Sequence, residues 1–390
     1  MKSLGLYLHI PFCIKKCEYC DFYSVPNTSK SLKDTYINAL ISHMKEYGPQ
    51  ARDYVVNSVY FGGGTPSLLT EKQLKLIMKN VKSCFNLSPL CEISMEVNPG
   101  TVDAEKLTSL RRCGINRLSI GVQSFNDEDL QTAGRIHTSG DAYKAISDAR
   151  KAKFNNISID LIYGLPNQTL QNVVDNINIA CGLEVDHLSL YGLKIEEGTP
   201  FWFNRYKLSF PDEETERSMY FTSVGLLEGA GFKQYEISNF AKKNKACRHN
   251  LKYWHAFEYL GLGPGAHSYF AGKRFSFKKS LSLYLDSFDP AKTTVEQLID
   301  EYIDIPYSSR IAEYVMLNFR LNSGIDCQAF RKQFGQDFNK IYYERILPYL
   351  KSGHIVRTKN GYAFSLDGMY VSNYILSRVI DFDLIIPGTN

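Results

Sequence analysis

Three cysteines close to the N-terminus carry the clearest chemical signature in the chain. Cys13, Cys17 and Cys20 are spaced C-x-x-x-C-x-x-C in the segment PFCIKKCEYC, which follows a strand-like apolar run. A structural zinc site usually has four protein ligands, often as two separated C-x-x-C pairs, and the sequence has no second Cys/His pair of that kind. Three thiolates without an obvious fourth indicate a 4Fe-4S cluster with one open iron, and zinc is the alternative.

A glycine-rich loop and several polar residues follow the later strand-like segments. The loop GGGTPS covers residues 62–67, where successive glycines allow the backbone to approach a ligand and to present N–H groups. The alternative interpretation is an ordinary tight turn between a strand and a helix. Polar residues that could bind a ligand lie at or just after the later strands, at Glu96, Gln123, Arg135 and Asp160. The alternative interpretation is that they are solvated or helix-capping side chains.

The elements that would position these residues alternate between strand and helix. Parallel strands with helical crossovers form either a doubly wound sheet or a barrel, and the polar and glycine-rich residues place the ligand at the carboxyl ends of the strands. The predicted strands are 4–10, 57–61, 92–97, 116–122, 157–163 and 187–190, and the predicted helices between them are 31–47, 71–85, 103–113, 141–153 and 169–181.

After residue 193 this alternation stops, and three regions are predicted. Residues 1–200 form an α/β barrel core, residues 201–290 elaborate it, and residues 291–390 form a small C-terminal domain. The C-terminal pattern of helices followed by the hairpin HIVRTKNGYAFS, with its N-G turn, predicts a winged-helix-like α+β domain. Because that region has no basic run, we expect it to pack against protein rather than bind DNA. The further helices are predicted at 213–229, 310–319, 326–334 and 341–352.

The overall composition limits the classes of protein to be considered. With 390 residues and 44% apolar content, the chain can fill both cores. A net charge of +4 from 45 basic and 41 acidic residues is too balanced for a dedicated nucleic-acid surface. The apolar runs are too short to span a membrane, and no signal-peptide pattern is present, so we expect a cytoplasmic protein. The other six cysteines are expected to be buried small residues rather than disulfide partners.

The cysteine motif and its context closely resemble the radical S-adenosylmethionine (SAM) superfamily. In that family the amino and carboxylate groups of SAM chelate the open iron, and reductive cleavage of SAM releases a 5′-deoxyadenosyl radical. The resemblance implies a partial (β/α)6 barrel and assigns Gly63, Gly64 and Thr65 to the methionine moiety. Within the superfamily, the coproporphyrinogen-oxidase-like branch implies further SAM contacts from Tyr7, Tyr19, Glu96, Gln123, Arg135, Asp160 and Gly192.

The resemblance to this branch covers most of residues 4–270, through LYLHIPFC, YFGGGTPS, GVQSF, IDLIYGLP, HNLKYW and GLGPGAHSY. The branch contains the oxygen-independent coproporphyrinogen III dehydrogenase and a class of heme chaperones. The dehydrogenase has a further cysteine two residues after the third, where this chain has Asp21 and Phe22 after Cys20, and a substantial N-terminal extension, where this chain starts its first strand by Leu4. Both departures favour the chaperone class.

The segment HNLKYW matches the H-N-x-x-Y-W motif associated with the chaperones. The resemblance therefore predicts a heme site from His249, Asn250, Tyr253 and Trp254. Histidine is a standard axial ligand of heme iron, and aromatic rings can flank a porphyrin. The alternative interpretation of His249 is a hydrogen-bonded structural histidine. His255 and His267 lie nearby in the sequence as other possible ligands.

The predicted function is that of a heme chaperone that carries a 4Fe-4S cluster and SAM, binds heme and transfers it to an acceptor protein. The alternatives are the dehydrogenase, which would oxidatively decarboxylate propionates by radical hydrogen abstraction, and a radical SAM methyltransferase acting on a tetrapyrrole. The expected partners are heme, an acceptor protein, an electron donor for the cluster and a second copy of the chain. Transient association with a membrane-bound acceptor is also expected. No nucleic acid partner is expected.

Overall fold

Six parallel strands joined by helices form the centre of the fold. The computed structural model describes residues 2–288 and 295–382. All six strands predicted in the first half are present, each parallel to the next, so the predicted α/β barrel is confirmed. The strands are β1 (Lys2–Ile10), β2 (Phe12–Cys13), β3 (Val25–Pro26), β4 (Tyr54–Gly63), β5 (Leu87–Val97), β6 (Arg117–Gln123), β7 (Ile157–Tyr163), β8 (His187–Gly192), β9 (Lys233–Glu236), β10 (Asn239–Ala241), β11 (Tyr259–Leu262), β12 (His267–Phe270), β13 (Lys273–Phe277), β14 (Ile299–Asp304), β15 (Ile325–Asp326), β16 (Ile355–Arg357) and β17 (Gly361–Phe364).

Most of the helices begin at a side chain that caps their free N–H groups. Thr70, for example, accepts from the N–H of Gln73, whose own side chain accepts from the Thr70 N–H in a reciprocal capping box. The helices are α1 (Lys30–Tyr47), α2 (Glu71–Cys84), α3 (Ala104–Arg112), α4 (Asp127–Thr132), α5 (Ser139–Lys151), α6 (Leu170–Gly182), α7 (Pro200–Asn204), α8 (Glu213–Gly229), α9 (Arg248–Trp254), α10 (Leu281–Ser287), α11 (Tyr307–Asn318), α12 (Cys327–Phe334), α13 (Phe338–Lys351), α14 (Leu366–Tyr370) and α15 (Ser372–Val379). Of these, α9, α11 and α15 begin without such a side chain.

The residues after β8 extend the parallel sheet at both of its edges. Strands β10 and β9 add to β8 in antiparallel orientation, whereas β11 adds to β1 in parallel and is followed by antiparallel β12, β13 and β14. The predicted elaboration is thus built onto the same sheet. The proposed division at residues 200 and 290 stays a prediction, and its second boundary lies outside the described residues.

The C-terminal helices and their small sheet have a hydrophobic core of their own. Strands β15, β17 and β16 form an antiparallel three-stranded sheet, one strand more than the predicted hairpin. In the hairpin turn the Thr358 N–H donates to the Gly361 carbonyl at 2.9 Å, and the Gly361 N–H donates to Thr358 Oγ1 at 3.0 Å. The fully buried rings of Phe330, Phe338 and Tyr342 lie at the centre of this core.

Strand alternation points polar side chains into the barrel, where side chains two residues apart lie on the same face. On β5 this face carries Glu92 and Glu96, and on β6 it carries Arg117 and Ser119; all four are largely buried. The barrel interior is therefore a polar chamber rather than an apolar core. None of the helices in the described residues is long and apolar enough to cross a membrane.

Candidate functional site

A cavity of about 540 Å³ lies at the carboxyl ends of the barrel strands, and we call it the strand-end cavity. Side chains and backbone from all three cysteines and from strands β4 to β8 line it. Of the residues predicted to contact the cluster or SAM, Tyr7 alone does not line this cavity. Those that do are Cys13, Cys17, Tyr19, Cys20, Gly63, Gly64, Thr65, Glu96, Gln123, Arg135, Asp160 and Gly192.

The cysteine loop is held by neighbouring side chains through its sulfur atoms. The Thr65 hydroxyl lies 3.5 Å from Cys13 Sγ, and Arg135 Nη1 lies 3.4 Å from Cys17 Sγ. Burial raises the pKa of the Cys20 thiol to about 11. Because iron binds the thiolate, metal binding here must release protons from the loop.

The donor set of the loop fits an iron-sulfur cluster. In a cubane cluster each thiolate binds a different iron, so the three sulfurs need not converge on one point. Within residues 2–288 and 295–382, no group of three or more His, Cys, Asp or Glu side chains is arranged to hold a single metal ion. All three thiols are partly exposed at the strand-end cavity, beside space for a further ligand.

Two glycines allow the loop after β4 to approach the cysteine loop closely. Gly63 has φ of +109°, and a Cβ there would lie 2.5 Å from the His9 ring. A Cβ on Gly64 would lie 2.7 Å from the Phe12 carbonyl oxygen and 2.9 Å from that of Ile10. Both distances are shorter than van der Waals contact, so these positions require glycine.

The N–H groups of this loop donate to the protein. The Gly63 N–H donates to Glu96 Oε2 at 3.1 Å, and the N–H groups of Gly64 and Thr65 donate at 2.8 and 2.7 Å to carbonyls just before Cys13. These N–H groups are therefore bonded to protein acceptors and do not point to a ligand, contrary to the expectation. The glycines join two loops of the site, and their assignment to methionine stays a prediction.

Two buried carboxyls give the strand-end cavity an affinity for cations. Burial, with the nearby charge of Asp160, raises the pKa of Glu96 to about 7. Burial also raises the pKa of Asp160, although Ser189, Arg117 and Ser119 partly oppose that rise. A cationic ligand would favour the ionised form of both carboxyls. The ammonium and sulfonium of SAM fit this requirement.

Arg135 offers a complementary group for an anion. Its Nη2 donates to Asn98 Oδ1 at 2.8 Å and to the Gly121 carbonyl at 2.7 Å, which fixes the guanidinium in the wall of the cavity. Its Nη1 lies 3.4 Å from the Tyr19 hydroxyl. Its Nε is buried and has no hydrogen-bond partner. Because Nε has no exposed surface, the guanidinium meets the cavity through its other atoms, and its positive charge suits an anion such as the carboxylate of SAM.

Tyr7 lies behind the cavity wall. Its hydroxyl is 3.1 Å from His9 Nδ1, and its ring stacks on Tyr60 with the centroids 6.3 Å apart. Tyr60 itself lines the cavity. Direct contact between Tyr7 and SAM stays a prediction, while the structure shows Tyr7 supporting a residue that lines the site.

Helix α9, which carries the HNLKYW segment, closes the barrel below the strand-end cavity. Glu92 Oε1 accepts from the N–H groups of Arg248 at 2.9 Å and His249 at 3.3 Å, which fixes the start of α9 to β5. Asn250 lines the cavity together with Arg117. The first turn of α9 is therefore part of the floor of the predicted SAM site.

His249 is fully buried, and both of its ring nitrogens are engaged. Nδ1 lies 3.0 Å from Ser58 Oγ and Nε2 lies 2.8 Å from the Tyr253 hydroxyl, while the ring stacks on Tyr60 with centroids 5.3 Å apart. Burial lowers the pKa of His249 to about 3, so the imidazole is neutral. In this arrangement neither nitrogen can reach heme iron, and the ligand assignment stays a prediction that requires α9 to move.

The four residues predicted to bind heme do not share one surface. His249 is enclosed in the barrel, Asn250 faces the strand-end cavity, and the Trp254 ring lies 6.0 Å from the Arg320 guanidinium of the C-terminal region. Tyr253 packs edge-on against Tyr259 with centroids 4.5 Å apart. The structure thus distributes the motif between the barrel interior and the neighbouring domain.

The sequence analysis missed several residues of the site. Arg117, Ser119 and Ser189 line the strand-end cavity, and Glu92 anchors its floor. The available signal was strand alternation, because Arg117 and Glu92 lie two or four residues before inward-facing positions of their strands. The same rule would have identified Asn98, which lies two residues after Glu96 and also lines the strand-end cavity.

Two family models match the chain in separate regions. The radical SAM superfamily matches residues 7–180, and the HemN C-terminal domain matches residues 308–371. The first region contains the cysteine loop, the end of β1 and four more of the six central strands, and the second contains most of α11, all of α12 and α13, and the small sheet.

Curated relatives match between two thirds and nearly all of the chain. The heme chaperone HemW of Bacillus subtilis is 34% identical over 97% of this chain and 99% of its own. The heme chaperone HemW of Lactococcus lactis is 32% identical over 98% of this chain and 99% of its own, and that of Escherichia coli is 39% identical over 68% and 70%.

A solved structure shares the fold. Coproporphyrinogen III oxidase (HemN) from Escherichia coli, described as a radical SAM enzyme, superposes with a TM-score of 0.84 over 98% of this chain and 91% of its own. At 23% sequence identity this likeness supports the architecture of both regions and not the reaction.

Proposed function

Because the chain belongs to the HemW family of heme chaperones, a part of the radical SAM superfamily, we propose that it binds heme and transfers it to an acceptor protein. The observation that carries the proposal is similarity to named heme chaperones over 97% of the chain, including the C-terminal region. The match therefore does not depend on the shared superfamily region alone.

The residues that would hold the cofactors follow from the strand-end cavity. Cys13, Cys17 and Cys20 would bind three irons of a 4Fe-4S cluster, which supplies one-electron chemistry when bound. Glu96 and Asp160 provide negative charge for the cationic groups of SAM. The remaining contacts with SAM are proposed for Tyr7, Tyr19, Gly63, Gly64, Thr65, Gln123, Arg135 and Gly192.

The dehydrogenase is the second candidate, and the fold shared with coproporphyrinogen III oxidase is the observation behind it. The chain has no cysteine two residues after Cys20. Asp21 and Phe22 follow instead, and both line the strand-end cavity, with the Phe22 side chain 69% exposed. These residues favour the chaperone over a decarboxylating enzyme.

The partners of the chain are proposed in the same way. A heme chaperone requires an acceptor protein, and a reducible cluster requires an electron donor. We further propose a cytoplasmic protein that forms a homodimer and associates transiently with an acceptor in a membrane. Lys15 and Lys16 line the strand-end cavity and give its mouth a positive charge suited to an acidic partner surface or to propionates, whereas the charge of Lys194 is compensated by Glu196.

An anaerobic heme titration tests the proposed function. Cluster-reconstituted protein should bind one heme per chain, seen as a saturable Soret band, and should pass it to apomyoglobin as a general acceptor. Coproporphyrinogen III, SAM and reductant are supplied in a parallel assay for released carbon dioxide. Absence of specific heme binding would contradict the chaperone function, and carbon dioxide release with that result would establish the dehydrogenase instead.

A further inference from the structure

The contacts that hold α9 against the barrel converge on His249. Its Nδ1 lies 3.0 Å from Ser58 Oγ on β4, and its ring stacks on Tyr60 of the same strand with centroids 5.3 Å apart. Its Nε2 lies 2.8 Å from the Tyr253 hydroxyl, and none of its surface is exposed. An iron ion needs a free ring nitrogen and a path to it. His249 can therefore bind heme iron only after these contacts have broken.

A buried lysine on the same helix opposes its position against the barrel. Lys252 lies one turn after His249, and 3% of its surface is exposed. Its Nζ donates to Ser3 Oγ at 2.8 Å, and no carboxylate of residues 2–288 and 295–382 lies within ion-pair distance of this amine. Burial lowers the pKa of Lys252 to about 8, because an ammonium without a charged partner is disfavoured there. Release of α9 would return this amine to water.

The two ends of α9 also offer little resistance to its release. Cys247, which precedes the helix, supplies no side-chain cap to the first turn. Beyond the other end, Ala256 has φ of +52°, in the left-handed region where a Cβ approaches the following carbonyl oxygen. A residue in this conformation is stable only while the surrounding contacts enforce it. Movement of α9 would relieve that strain.

We propose that α9 encloses His249 in the barrel when heme is absent, and that heme binds after α9 has left this closed position and presented the imidazole. The inference rests on the proposed function and adds a conformational step to it. The hydrogen bonds of His249 and Glu92 favour the closed position. The burial of Lys252 and the backbone of Ala256 oppose it. Heme affinity is then reduced by the small fraction of molecules in which α9 is released.

A substitution that weakens the closed position should therefore strengthen heme binding. Ser58→Ala removes the hydrogen bond at His249 Nδ1 from the barrel side and leaves every residue of α9 unchanged. Full-length, cluster-reconstituted protein is mixed anaerobically with heme, and the Soret band is followed. The affinity should increase about fivefold. The observed rate should level off at high heme concentration, at the rate of release, and Ser58→Ala should raise this plateau.

Ser158→Ala is the matched control. Ser158 Oγ lies 2.7 Å from Nδ1 of the fully buried His187, whose Nε2 lies 2.8 Å from the Tyr235 hydroxyl. The same three types of side chain are thus arranged as around His249, but on strands β7, β8 and β9. Ser158→Ala should lower the melting temperature as Ser58→Ala does, because each leaves a buried imidazole without a partner. Its heme affinity and its plateau rate should match those of wild type.

Gly5→Ala tests the same step from β1. A Cβ at this position would lie 2.7 Å from Lys252 Cδ and 3.2 Å from His249 Cε1, so it would press on the side chains that α9 buries. This variant should also bind heme more tightly and reach a higher plateau rate. It keeps the proposal testable if Ser58→Ala does not fold.

Three results would overturn the proposal. One is a heme affinity that falls or is unchanged in Ser58→Ala, or in Gly5→Ala if Ser58→Ala does not fold. Another is an observed rate in wild type that rises linearly with heme concentration. The third is a His249→Ala variant with the heme affinity and spectrum of wild type, because the enclosed histidine would then not be the ligand. If wild type itself binds no heme, the proposed function fails, a result distinct from these three.

Discussion

The two cavities beside helix α9 are constructed in opposite ways. The strand-end cavity is formed by consecutive strands of one sheet, and each strand contributes a side chain from its carboxyl end or the loop after it. A second cavity, of about 340 Å³, lies where His255 meets α11, β15 and the hairpin turn of the C-terminal region, and we call it the junction cavity. The first is rigid because the sheet holds its walls, whereas the geometry of the second depends on the packing of two regions.

The comparison shows why one helix can carry a motif and still serve two sites. The first turn of α9 is fixed to the barrel by Glu92 and lines one cavity through Asn250. Its last residue is followed by His255, which lines the other. Substitutions at the start of α9 should therefore affect the strand-end cavity, and substitutions at His255 should affect the junction cavity.

The largest effect is expected from the cysteine loop. Cys17→Ala removes one thiolate of the proposed cluster and the contact with Arg135 Nη1. Nearly all cluster iron and all measurable SAM binding should be lost, because the open iron is the anchor for SAM. Iron analysis and the absorption near 400 nm measure this, with Cys181→Ala, a cysteine at the end of α6, as control. A full iron content in Cys17→Ala would exclude it as a ligand.

The next effect concerns the attachment of α9 to the barrel. Glu92→Ala leaves the fully buried Arg117 without the nearby carboxylate and leaves two N–H groups of α9 without their acceptor. Leaving a buried N–H group without its acceptor costs about 1–3 kcal/mol of unfolding free energy, and two such groups are affected here. Chemical denaturation measures the loss.

The matched variant for this position is Glu92→Gln, which keeps an acceptor for α9 but loses the charge. Its free energy of unfolding should lie between those of wild type and Glu92→Ala. An equal free energy of unfolding for wild type and Glu92→Ala would show that this carboxylate does not hold the start of α9. The conclusion that Glu92 fixes the first turn of α9 to the barrel would then be wrong.

A smaller effect is expected where the glycine loop meets the cysteine loop. Gly64→Ala would place a Cβ within 2.9 Å of three backbone atoms of residues 10 and 12, which cannot move without displacing the cysteine loop. We expect a stability loss of about 1–3 kcal/mol and a reduced iron content after reconstitution. Gly225→Ala is the control, because Gly225 lies at an exposed position of α8 and an added Cβ there meets nothing within 4 Å. A neutral Gly64→Ala would contradict the close approach.

The smallest effect is a pH dependence confined to the strand-end cavity. The pKa of Glu96 is raised to about 7, so this carboxyl is mostly protonated below that pH and ionised above it. A cationic ligand binds the ionised form better, and SAM affinity should therefore fall as the pH falls through about 7. The change should be about tenfold between about pH 8 and about pH 6.

Glu96→Gln removes this titration and serves as its control. Calorimetric titration of SAM into both proteins at each pH separates the contribution of Glu96 from that of the SAM amino group, which titrates in both. Identical pH profiles for wild type and Glu96→Gln would show that Glu96 does not face the cationic groups of SAM.

The strand-end cavity could be predicted well from the sequence because its residues occupy equivalent places in a repeated unit. Each strand of a βα repeat ends at the same edge, so Glu96, Gln123 and Asp160 are brought together by the topology alone. Helix α8 was predicted with the bounds that the structure has, Glu213–Gly229, because Asp212 caps a regular amphipathic stretch.

The position of α9 could not be predicted in this way. Nothing in the local pattern of HNLKYW shows that its histidine faces the inside of a barrel, since burial there depends on Ser58 and Tyr60 from a strand some 190 residues earlier. Strands β9 to β14 were missed because they are short and interrupted by glycines, and they are stabilised by pairing with an existing sheet edge. Predicting the junction cavity would require knowledge of how the core of the barrel and the core of the C-terminal region pack together.

The seven-residue length of α9 has a thermodynamic consequence. At a rise of about 1.5 Å per residue the helix is about 10 Å long, too short to bend, so a displacement at one end is transmitted to the other. A ligand that shifted Asn250 would therefore also shift His255 at the other end of the helix. Linkage would make any resulting coupling reciprocal: if SAM alters heme affinity by some factor, heme must alter SAM affinity by the same factor.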